Sequence, residues 1–296
     1  MRRRNFLKSA SVAAVSLPWF LQQGFAKDTP AHKYLDTIGL QLWTVRNQLE
    51  EDIPGTLKAV ADAGYQQVEL GGVMDADKYI PVAKDLGMNV TSAFIDWQSI
   101  ANPKADGSKD INAIIEKAQE LKLKHLVFGY IGKGHRETVD HYKTHAENAN
   151  KAGEKSKAAG IQLCYHNHSF EFADLGDGKT GWDVLVDSFD KENVKFEVDV
   201  FWVKVGGLDP YKTMKALDGR VSQVHLKDIQ KGTGTIHDEG KVPHEAFQEL
   251  GDGTINMKRV MNIAAKIGVE QCHVEQDQSP NPIASIGQSM THLKTL

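Results

Sequence analysis

Four short apolar runs in this 296-residue chain end in side chains that bind divalent metal ions. The four side chains are His166, Asp199, His225 and Glu275. Neutral imidazole and carboxylate groups together suit a hard or borderline cation such as Mn, Co, Zn or Mg. A single such group at a strand end is usually a structural polar residue, because its burial is costly unless something pairs with it. Four such groups at the ends of successive strands predict one divalent metal site, provided that the fold brings these strand ends together.

Eight strand-like apolar runs alternate with segments of helical periodicity along residues 37–296. Several runs are almost continuously apolar, as a parallel strand covered by helices on both faces requires. Eight strand–helix units in one unbroken series predict an α/β fold, a single (β/α)8 barrel domain. The predicted strands are Ile38–Trp43, Gln66–Leu70, Asn89–Ile95, His125–Gly129, Ile161–His166, Val194–Val200, Val221–His225 and Gln271–Glu275.

The segments between the strands predict helices, among them Pro54–Ala63 and Ile111–Leu121. Two loops exceed the usual length, Trp97–Asp110 after the third strand and Asp228–Val242 after the seventh. Loops at the C-terminal face of a barrel build its active site, so both are candidates for covering a substrate. Several helical segments end in a glycine that supplies a left-handed C-cap, namely Gly64, Gly87, Gly160 and Gly268.

The N-terminal residues predict export from the cytoplasm. Arg2-Arg3-Arg4 precede an uncharged, mostly apolar stretch that closes on Gly24-Phe25-Ala26, with small residues where a signal peptidase reads. Residues 1–26 resemble a twin-arginine signal peptide, which implies recognition by the twin-arginine export machinery and a periplasmic protein. Residues 27–36 are predicted to be a linker. An uncleaved anchor is the alternative, because the apolar stretch approaches the lower limit of about 17 residues for spanning a bilayer.

Charge and cysteine content exclude some classes of protein. The formal net charge is -4 and no basic run follows the N-terminal segment, so a nucleic-acid partner is not expected. Two cysteines, Cys164 and Cys272, lie in apolar strand-like runs far apart in the sequence. Two cysteines cannot form a disulfide framework, and we expect both to be buried apolar residues rather than a bridge. The sequence leaves the oligomeric state open.

Five segments resemble the xylose isomerase-like TIM barrel superfamily of sugar isomerases and epimerases. That superfamily also holds inosose dehydratases, dehydroshikimate dehydratase and endonuclease IV, and the likeness is to its secreted branch with twin-arginine signals. The resemblance covers nearly all of the chain after the signal. The segments are Gly39–Arg46, Tyr165–Phe172, Glu197–Asp199, Val224–Asp228 and Val274–Asp277.

The resemblance implies a particular set of metal ligands. In the epimerases of this superfamily, a Glu, an Asp, a His and a second Glu at the ends of strands five to eight hold one ion. Asp199, His225 and Glu275 match the last three positions, and His166 stands where the first Glu would be. Those enzymes use their two glutamates as a proton-transfer pair, so only Glu275 remains for that role here. Glu197, one pleat deeper than Asp199, is expected to pair with a buried cation rather than to bind the metal.

Three residues are candidates for catalysis. Glu275 is expected to act both as a ligand and as the base. His168 has the same strand parity as His166, so it could bind substrate, act as an acid or base, or be structural. Lys227 could polarise a carbonyl or neutralise an enolate, or it could merely pair with Asp228 or a neighbouring carboxylate.

Four residues are candidates for substrate binding. Glu69 ends the second strand and is expected either to contact a substrate hydroxyl or to form a salt bridge. Glu171 lies just after the fifth strand, where it could orient His168 or be solvated. Trp43 and Trp202 could stack on a sugar ring or pack as ordinary barrel aromatics.

The predicted reaction follows from the metal and the single carboxylate base. A divalent ion bound to a carbonyl and an adjacent hydroxyl stabilises the enediolate that forms when a proton is removed between them. We therefore predict a metal-dependent isomerase or epimerase acting on a sugar or sugar derivative, with a small carbohydrate or cyclitol as substrate. The alternative is a lyase or dehydratase acting on a keto-sugar, keto-glycoside or inosose. A second alternative is a periplasmic sugar-binding protein without catalysis, which would need two lobes and a hinge.

Overall fold

The computed structural model describes residues 32–296, which fold into a closed barrel of eight parallel strands. The predicted signal peptide, residues 1–26, and residues 27–31 of the predicted linker lie outside the described residues. All eight predicted strands are confirmed, each within two residues of its predicted ends. The barrel strands are β1 (Gly39–Gln41), β2 (Gln67–Leu70), β3 (Asn89–Phe94), β4 (His125–Phe128), β5 (Gln162–His166), β6 (Val194–Asp199), β7 (Val221–Leu226) and β10 (Gln271–Val274).

The strands follow one another around the barrel in sequence order, and β10 closes it by pairing with both β7 and β1. A short antiparallel pair, β8 (Asp228–Ile229) with β9 (Phe247–Gln248), interrupts the series after β7. Parallel pairing directs the C-terminal ends of all eight barrel strands to the same mouth. Residues at successive strand ends therefore converge there, as the sequence predicts.

Helices surround the barrel, as predicted from the periodicity. The described α-helices are α1 (His32–Leu35), α2 (Arg46–Glu51), α3 (Ile53–Ala63), α4 (Ile80–Asp85), α5 (Gln98–Ala101), α6 (Ile111–Leu121), α7 (Val139–Ala158), α8 (Gly181–Ser188), α9 (Val200–Val205), α10 (Pro210–Ala216), α11 (Met257–Lys266) and α12 (Pro282–Leu293). None of these helices has the length and hydrophobicity required to cross a membrane.

Local sequence explains where individual helices begin and end. Asp52 caps α3 by accepting a hydrogen bond from the backbone N–H of Gly55, and Pro54 occupies the first turn. Gly64 ends α3 with a φ of 110°, a left-handed conformation that glycine adopts without steric cost. The glycines predicted to follow other helices, Gly87, Gly160 and Gly268, also have positive φ.

Part of the predicted linker contacts the N-terminal end of the barrel. Tyr34 of α1 is buried, and its hydroxyl donates a hydrogen bond to the carbonyl of Val269, just before β10. Tyr34 therefore attaches this part of the predicted linker to the barrel. Cys164 and Cys272 are both buried and unbridged, which confirms their prediction as apolar residues.

Candidate active site

A cavity of about 480 Å³ opens at the C-terminal mouth of the barrel. Its volume lies in the ordinary range for a small-molecule site. Polar groups from strand ends and aromatic rings line it together. Among the lining residues are Trp43, Phe94, Tyr130, His166, His168, Trp202, Lys227, Glu239, Phe247, Glu275 and Asp277.

The four predicted metal ligands lie together at this mouth. The ligand atoms of His166, Asp199, His225 and Glu275 all fall within 4.8 Å of one another, and all four side chains are buried. Asp199 and His225 are direct partners in the pairing of β6 with β7. His225 Nδ1 is 2.8 Å from Glu275 Oε2, and His166 Nε2 is 3.4 Å from Asp199 Oδ2. Two carboxylates balance a divalent charge and two imidazoles complete a mixed nitrogen and oxygen donor set, so the cluster fits a divalent ion.

Glu69 holds His225 from beneath the cluster. Its Oε2 is 2.7 Å from His225 Nε2, which leaves Nδ1 of the same ring facing the other predicted ligands. Glu69 also accepts hydrogen bonds from Gln41 Nε2 at 2.8 Å and Ser92 Oγ at 2.5 Å. A carboxylate behind a ligating histidine fixes its tautomer and orientation. Glu69 is fully buried and does not line the cavity, so the geometry supports the salt-bridge alternative and not a contact with substrate.

A second polar layer lies deeper inside the barrel. Glu197 Oε1 is 3.3 Å from His225 Nε2 and 3.9 Å from His273 Nδ1, and all three side chains are completely buried. Burial raises the pKa of Glu197 to about 8, and the neighbouring Glu69 adds to the rise. Glu197 thus sits one pleat below Asp199 and contacts the ring of His225, as its strand parity predicts.

Lys227 places a buried cation among the carboxylates of the site. Its Nζ lies 2.9 Å from Asp199 Oδ2, 2.6 Å from Glu275 Oε2 and 2.7 Å from Asp277 Oδ2. Burial alone would lower the pKa of Lys227, but these carboxylates, Asp199 foremost, raise it well above its usual range, so the amine stays protonated. The predicted alternative, pairing with a neighbouring carboxylate, is therefore found, but the partner is not Asp228. The Asp228 carboxylate instead accepts backbone N–H groups of the following loop.

Asp277 is a cavity residue to which the sequence analysis gave no role. It lies two residues beyond Glu275 and lines the cavity beside Lys227. Burial raises its pKa to about 6, with Glu275 adding to the rise and Lys227 opposing it. The alternation of side chains along a strand was the available signal, since a residue two positions beyond a cavity residue tends to face the same side.

Glu171 positions His168 rather than facing solvent. Both Glu171 oxygens accept the backbone N–H of His168, at 3.0 and 2.9 Å, and one also accepts the Tyr165 hydroxyl at 2.8 Å. Glu171 is fully buried and does not line the cavity, so its predicted substrate contact is replaced by the orienting role. His168 does line the cavity, and burial lowers its pKa well below the ordinary histidine value. Its ring is therefore neutral.

The predicted aromatic residues both line the cavity. Trp43 is half exposed at the rim, whereas Trp202 is buried with its ring centroid 5.5 Å from Lys227 Nζ and 5.2 Å from that of His168. A stacking role for these rings is compatible with their positions and stays a prediction.

One of the two predicted covering loops reaches the cavity. From the segment after β7, Glu239, Gly240 and Val242 line it. Two groups of the loop after β4 hold Glu239, namely Arg136 at 2.8 Å and the Tyr130 hydroxyl at 2.8 Å. No residue of 97–110 lines the cavity, so the cover predicted there is wrong. Trp97 packs instead on the rings of Tyr130 and His135.

Comparisons with known proteins agree with this architecture. Residues 57–296 match the family model described as xylose isomerase-like TIM barrel. An inosose dehydratase of Clostridium tetani is 26% identical over 255 residues, which covers 77% of this chain and 84% of the relative. The sugar phosphate isomerase/epimerase of Parabacteroides distasonis has a similar structure, with a TM-score of 0.70, 23% identity and coverage of 88% and 98% of the two chains. The 3-keto-D-glucoside 4-epimerase of E. coli gives a TM-score of 0.65, 15% identity and coverage of 88% and 99%. The chain therefore belongs to the xylose isomerase-like TIM barrel family.

Proposed function

We propose that this protein is a metal-dependent enzyme that removes a proton beside the carbonyl of a keto-sugar or keto-cyclitol and then eliminates a β-hydroxyl group. The observation that carries the proposal is the cluster of His166, Asp199, His225 and Glu275 beneath a cavity at the barrel mouth. The relationship to an inosose dehydratase supports carbonyl chemistry on a polyhydroxylated ring.

The four cluster residues would hold the ion. Their charges balance a divalent cation, and the contact of Glu69 with His225 Nε2 leaves Nδ1 facing the cluster. A divalent ion bound there supplies Lewis-acid polarisation of the substrate carbonyl and of its neighbouring hydroxyl.

Glu275 is the proposed base. Of the two cluster carboxylates, only Glu275 lines the cavity. Burial by itself would raise its pKa, but Lys227 and His225 beside it lower the pKa to about 2, so the carboxylate is ionised. One oxygen of a ligating carboxylate remains free to accept a proton. Glu275 removes the proton from the carbon next to the carbonyl, and the electron pair of the broken C–H bond forms the enolate.

Lys227 and His168 support this step in different ways. The protonated amine of Lys227 lies 2.6 Å from Glu275 and lines the cavity, where it stabilises negative charge that develops on the enolate oxygen. The neutral ring of His168, held through its backbone by Glu171, is placed to hydrogen-bond a substrate hydroxyl.

Elimination suits a site with one carboxylate base. Once protonated, Glu275 can return the same proton to the β-hydroxyl group. The carbon–oxygen bond then breaks, the enolate electrons form a carbon–carbon double bond, and water leaves. Epimerisation needs a second proton-transfer group on the opposite face of the substrate. By the resemblance, His166 stands where the related epimerases have the first of their two glutamates, and Glu275 matches the other.

Isomerisation is the second candidate. A single carboxyl group can also return the proton to the neighbouring carbon on the same face, so the one-base arrangement favours isomerisation over epimerisation. A sugar-binding protein without catalysis is less well supported. Such a protein closes two lobes around its ligand, whereas residues 37–296 form one barrel.

Turnover in heavy water tests the proposal and separates its outcomes. Metal-loaded protein is incubated with a panel of keto-sugars and inososes, and the products are analysed by mass spectrometry and NMR. Elimination gives a product lighter by one water, whereas isomerisation conserves mass apart from any incorporated deuterium. Substrate bound by metal-loaded protein with neither solvent exchange nor product across the panel would contradict an enolising enzyme.

A further inference from the structure

A second, smaller cavity adjoins the first at the rim of the barrel. It has a volume of about 200 Å³ and is bounded by residues that follow β1 and β2. Trp43, Arg46 and Gly71 line both cavities. A ligand in the inner cavity could therefore extend into the outer one past these three residues.

Arg46 and Trp43 contact each other in the shared wall. The guanidinium carbon of Arg46 lies 4.5 Å from the centre of the Trp43 ring, and Arg46 Nη1 donates a hydrogen bond to the Trp43 carbonyl at 2.7 Å. The Trp43 side chain is nevertheless 50% exposed, which is unusual for a ring of this size. The part of the indole that Arg46 leaves exposed at the cavity edge is a surface on which another ring can stack.

The boundary between the cavities has little steric bulk. Gly71 is exposed, and a Cβ atom placed on it would meet no heavy atom within 4 Å. The passage past Gly71 is therefore open.

The charges of the outer cavity disfavour a phosphate. Glu50 and Asp75 both line it, and Arg46 is the only cation among the described residues that line it. Asp75 is also paired with Lys78 at 2.6 Å. With no excess of positive charge, the cavity suits a neutral group rich in hydroxyls, because the carboxylates accept hydrogen bonds and the guanidinium donates them. Tyr79 adds an aromatic ring to the wall.

We propose that the outer cavity is a second sugar subsite, so that the substrate is a keto-glycoside whose reactive ring lies over Glu275 and whose second ring lies between Trp43 and Tyr79. This inference rests on the proposed function for the identity of the reactive ring. The presence of the subsite itself can be tested by binding alone.

A substitution at Gly72 tests the outer cavity without changing a residue that lines the inner one. Gly72 lines only that cavity, and its φ of -162° is an extended conformation that any residue adopts. The nearest atom to an added Cβ is Asp75 Oδ2 at 3.8 Å, and Asp75 also lines the outer cavity, so a larger side chain has room beside that wall. Gly72→Phe is the blocking variant, and Gly72→Leu is a smaller block should the first fail to fold. Met74→Ala is the control, because Met74 is an exposed residue of the same segment and lines neither cavity.

Calorimetric titration of the metal-loaded proteins supplies the test. The ligands are a disaccharide whose reactive carbon is a secondary alcohol, which cannot be enolised, and the corresponding monosaccharide. We expect the wild type to bind the disaccharide more tightly, and Gly72→Phe to weaken that binding by about tenfold or more while leaving monosaccharide binding within about twofold. Met74→Ala should behave as the wild type. Equal affinity of the wild type for both sugars, or equal losses for both in the blocked variant, would overturn the subsite.

Turnover distinguishes failure of the subsite from failure of the proposed function. In one outcome, the wild type binds the disaccharide more tightly, Gly72→Phe loses that preference, and the wild type turns over no keto-sugar. That outcome would support the subsite and refute the enolisation. In the other outcome, the wild type turns over keto-monosaccharides and keto-disaccharides with equal kcat/KM, and Gly72→Phe changes neither value. That outcome would support the enolisation and refute the subsite.

Discussion

Glu275 is the residue on which the proposed chemistry depends most directly. It is the only cluster carboxylate at the cavity surface, and Lys227 and His225 both lie against it. Glu275→Gln preserves size and one ligating oxygen but has almost no basicity. We expect metal to be retained, KM to change little and kcat to fall by about 10²- to 10⁴-fold, the usual contribution of a general base.

Metal analysis and steady-state kinetics check this expectation, with His168→Ala as the comparison. His168→Ala should cost less than Glu275→Gln if His168 only contacts a hydroxyl. If Glu275→Gln keeps a near-normal kcat and His168→Ala is inactive, the base is His168 and not Glu275.

Glu171 makes stability depend on pH through its burial. Burial raises its pKa to about 7, from an ordinary value near 4.5 that applies in the unfolded chain. Between about pH 4.5 and pH 7 the folded protein therefore holds a proton that the unfolded chain has released, and its contribution to stability is lost as pH rises. Glu171→Gln cannot ionise, so this part of the pH dependence should disappear.

Urea unfolding at pH 5 and pH 7.5 measures the effect. Asp277 and Glu197 also have raised pKa values, so the informative quantity is the difference between wild type and variant at the two pH values. We expect Glu171→Gln to be the less stable of the two at pH 5 and to approach or exceed the wild type at pH 7.5. A stability difference that is the same at both pH values would show that Glu171 does not titrate in this range.

At the scale of single residues, the sequence predicts which side chains gather at the barrel mouth better than it predicts how deep each side chain lies within the barrel. His166, Asp199, His225 and Glu275 converge because parallel strands end together, which needs only the fold class. Glu69 also ends a strand, yet it lies beneath His225. The stagger of neighbouring strands decides that depth, and strand parity alone does not report it. The contact of Lys227 with Asp277 likewise depends on the paths of two loops.

Elements were predicted more accurately than the contacts between them. Apolar runs and glycine C-caps fix the strands and helices locally, and α6 has the predicted bounds. Which loops cover the mouth depends on how they pack on each other. The segment after β7 is held by Arg136 of the loop after β4, whereas Trp97 is drawn away from the cavity by Tyr130 and His135. Loop length alone could not separate these outcomes.

The pair of Glu239 and Arg136 is expected to hold the covering loop. Both side chains are mostly buried, and Glu239 accepts from Arg136 Nη2 at 2.8 and 3.0 Å and from the Tyr130 hydroxyl. Glu239→Gln removes the charge and keeps the shape, so the loop should open more often. We expect KM to rise by about tenfold and kcat to change less, since a hydrogen bond to a charged group contributes about 1.5–3 kcal/mol.

Kinetics and hydrogen exchange of residues 236–242 test this expectation. Lys133→Ala is the matched control, because its ion pair with Asp238 joins the same two loops at the surface and an exposed pair contributes little. Faster exchange in Glu239→Gln but not in Lys133→Ala is the expected pattern. Unchanged exchange and KM in Glu239→Gln would mean that the loop does not depend on this ion pair.

At the scale of the whole molecule, the first and last barrel strands must meet. β1 pairs with β2 on one side and with β10 on the other, so residues 39–40 find their second set of partners only when residues 273–274 have been made. Such long-range pairing makes the barrel close after synthesis of nearly the whole chain. The buried cluster that joins β5, β6 and β7 to the end of β10 is completed at the same stage.

We propose that the protein folds, and binds its metal, before it crosses the membrane. Late closure of the barrel suits export of a folded protein, and the twin arginines of residues 1–26, outside the described part of the chain, are typical of a signal for that route. Replacement of Arg3 and Arg4 by Lys keeps the positive charge and removes the signal's defining residues. We expect precursor to accumulate in the cytoplasm as a folded, metal-containing barrel, and wild-type protein to appear in the periplasm beginning at Lys27. Cell fractionation, N-terminal sequencing and metal analysis of both forms measure this. Unimpaired export of the double variant, or export that stops only when the general secretion pathway is inhibited, would show that the chain crosses unfolded and acquires its ion afterwards.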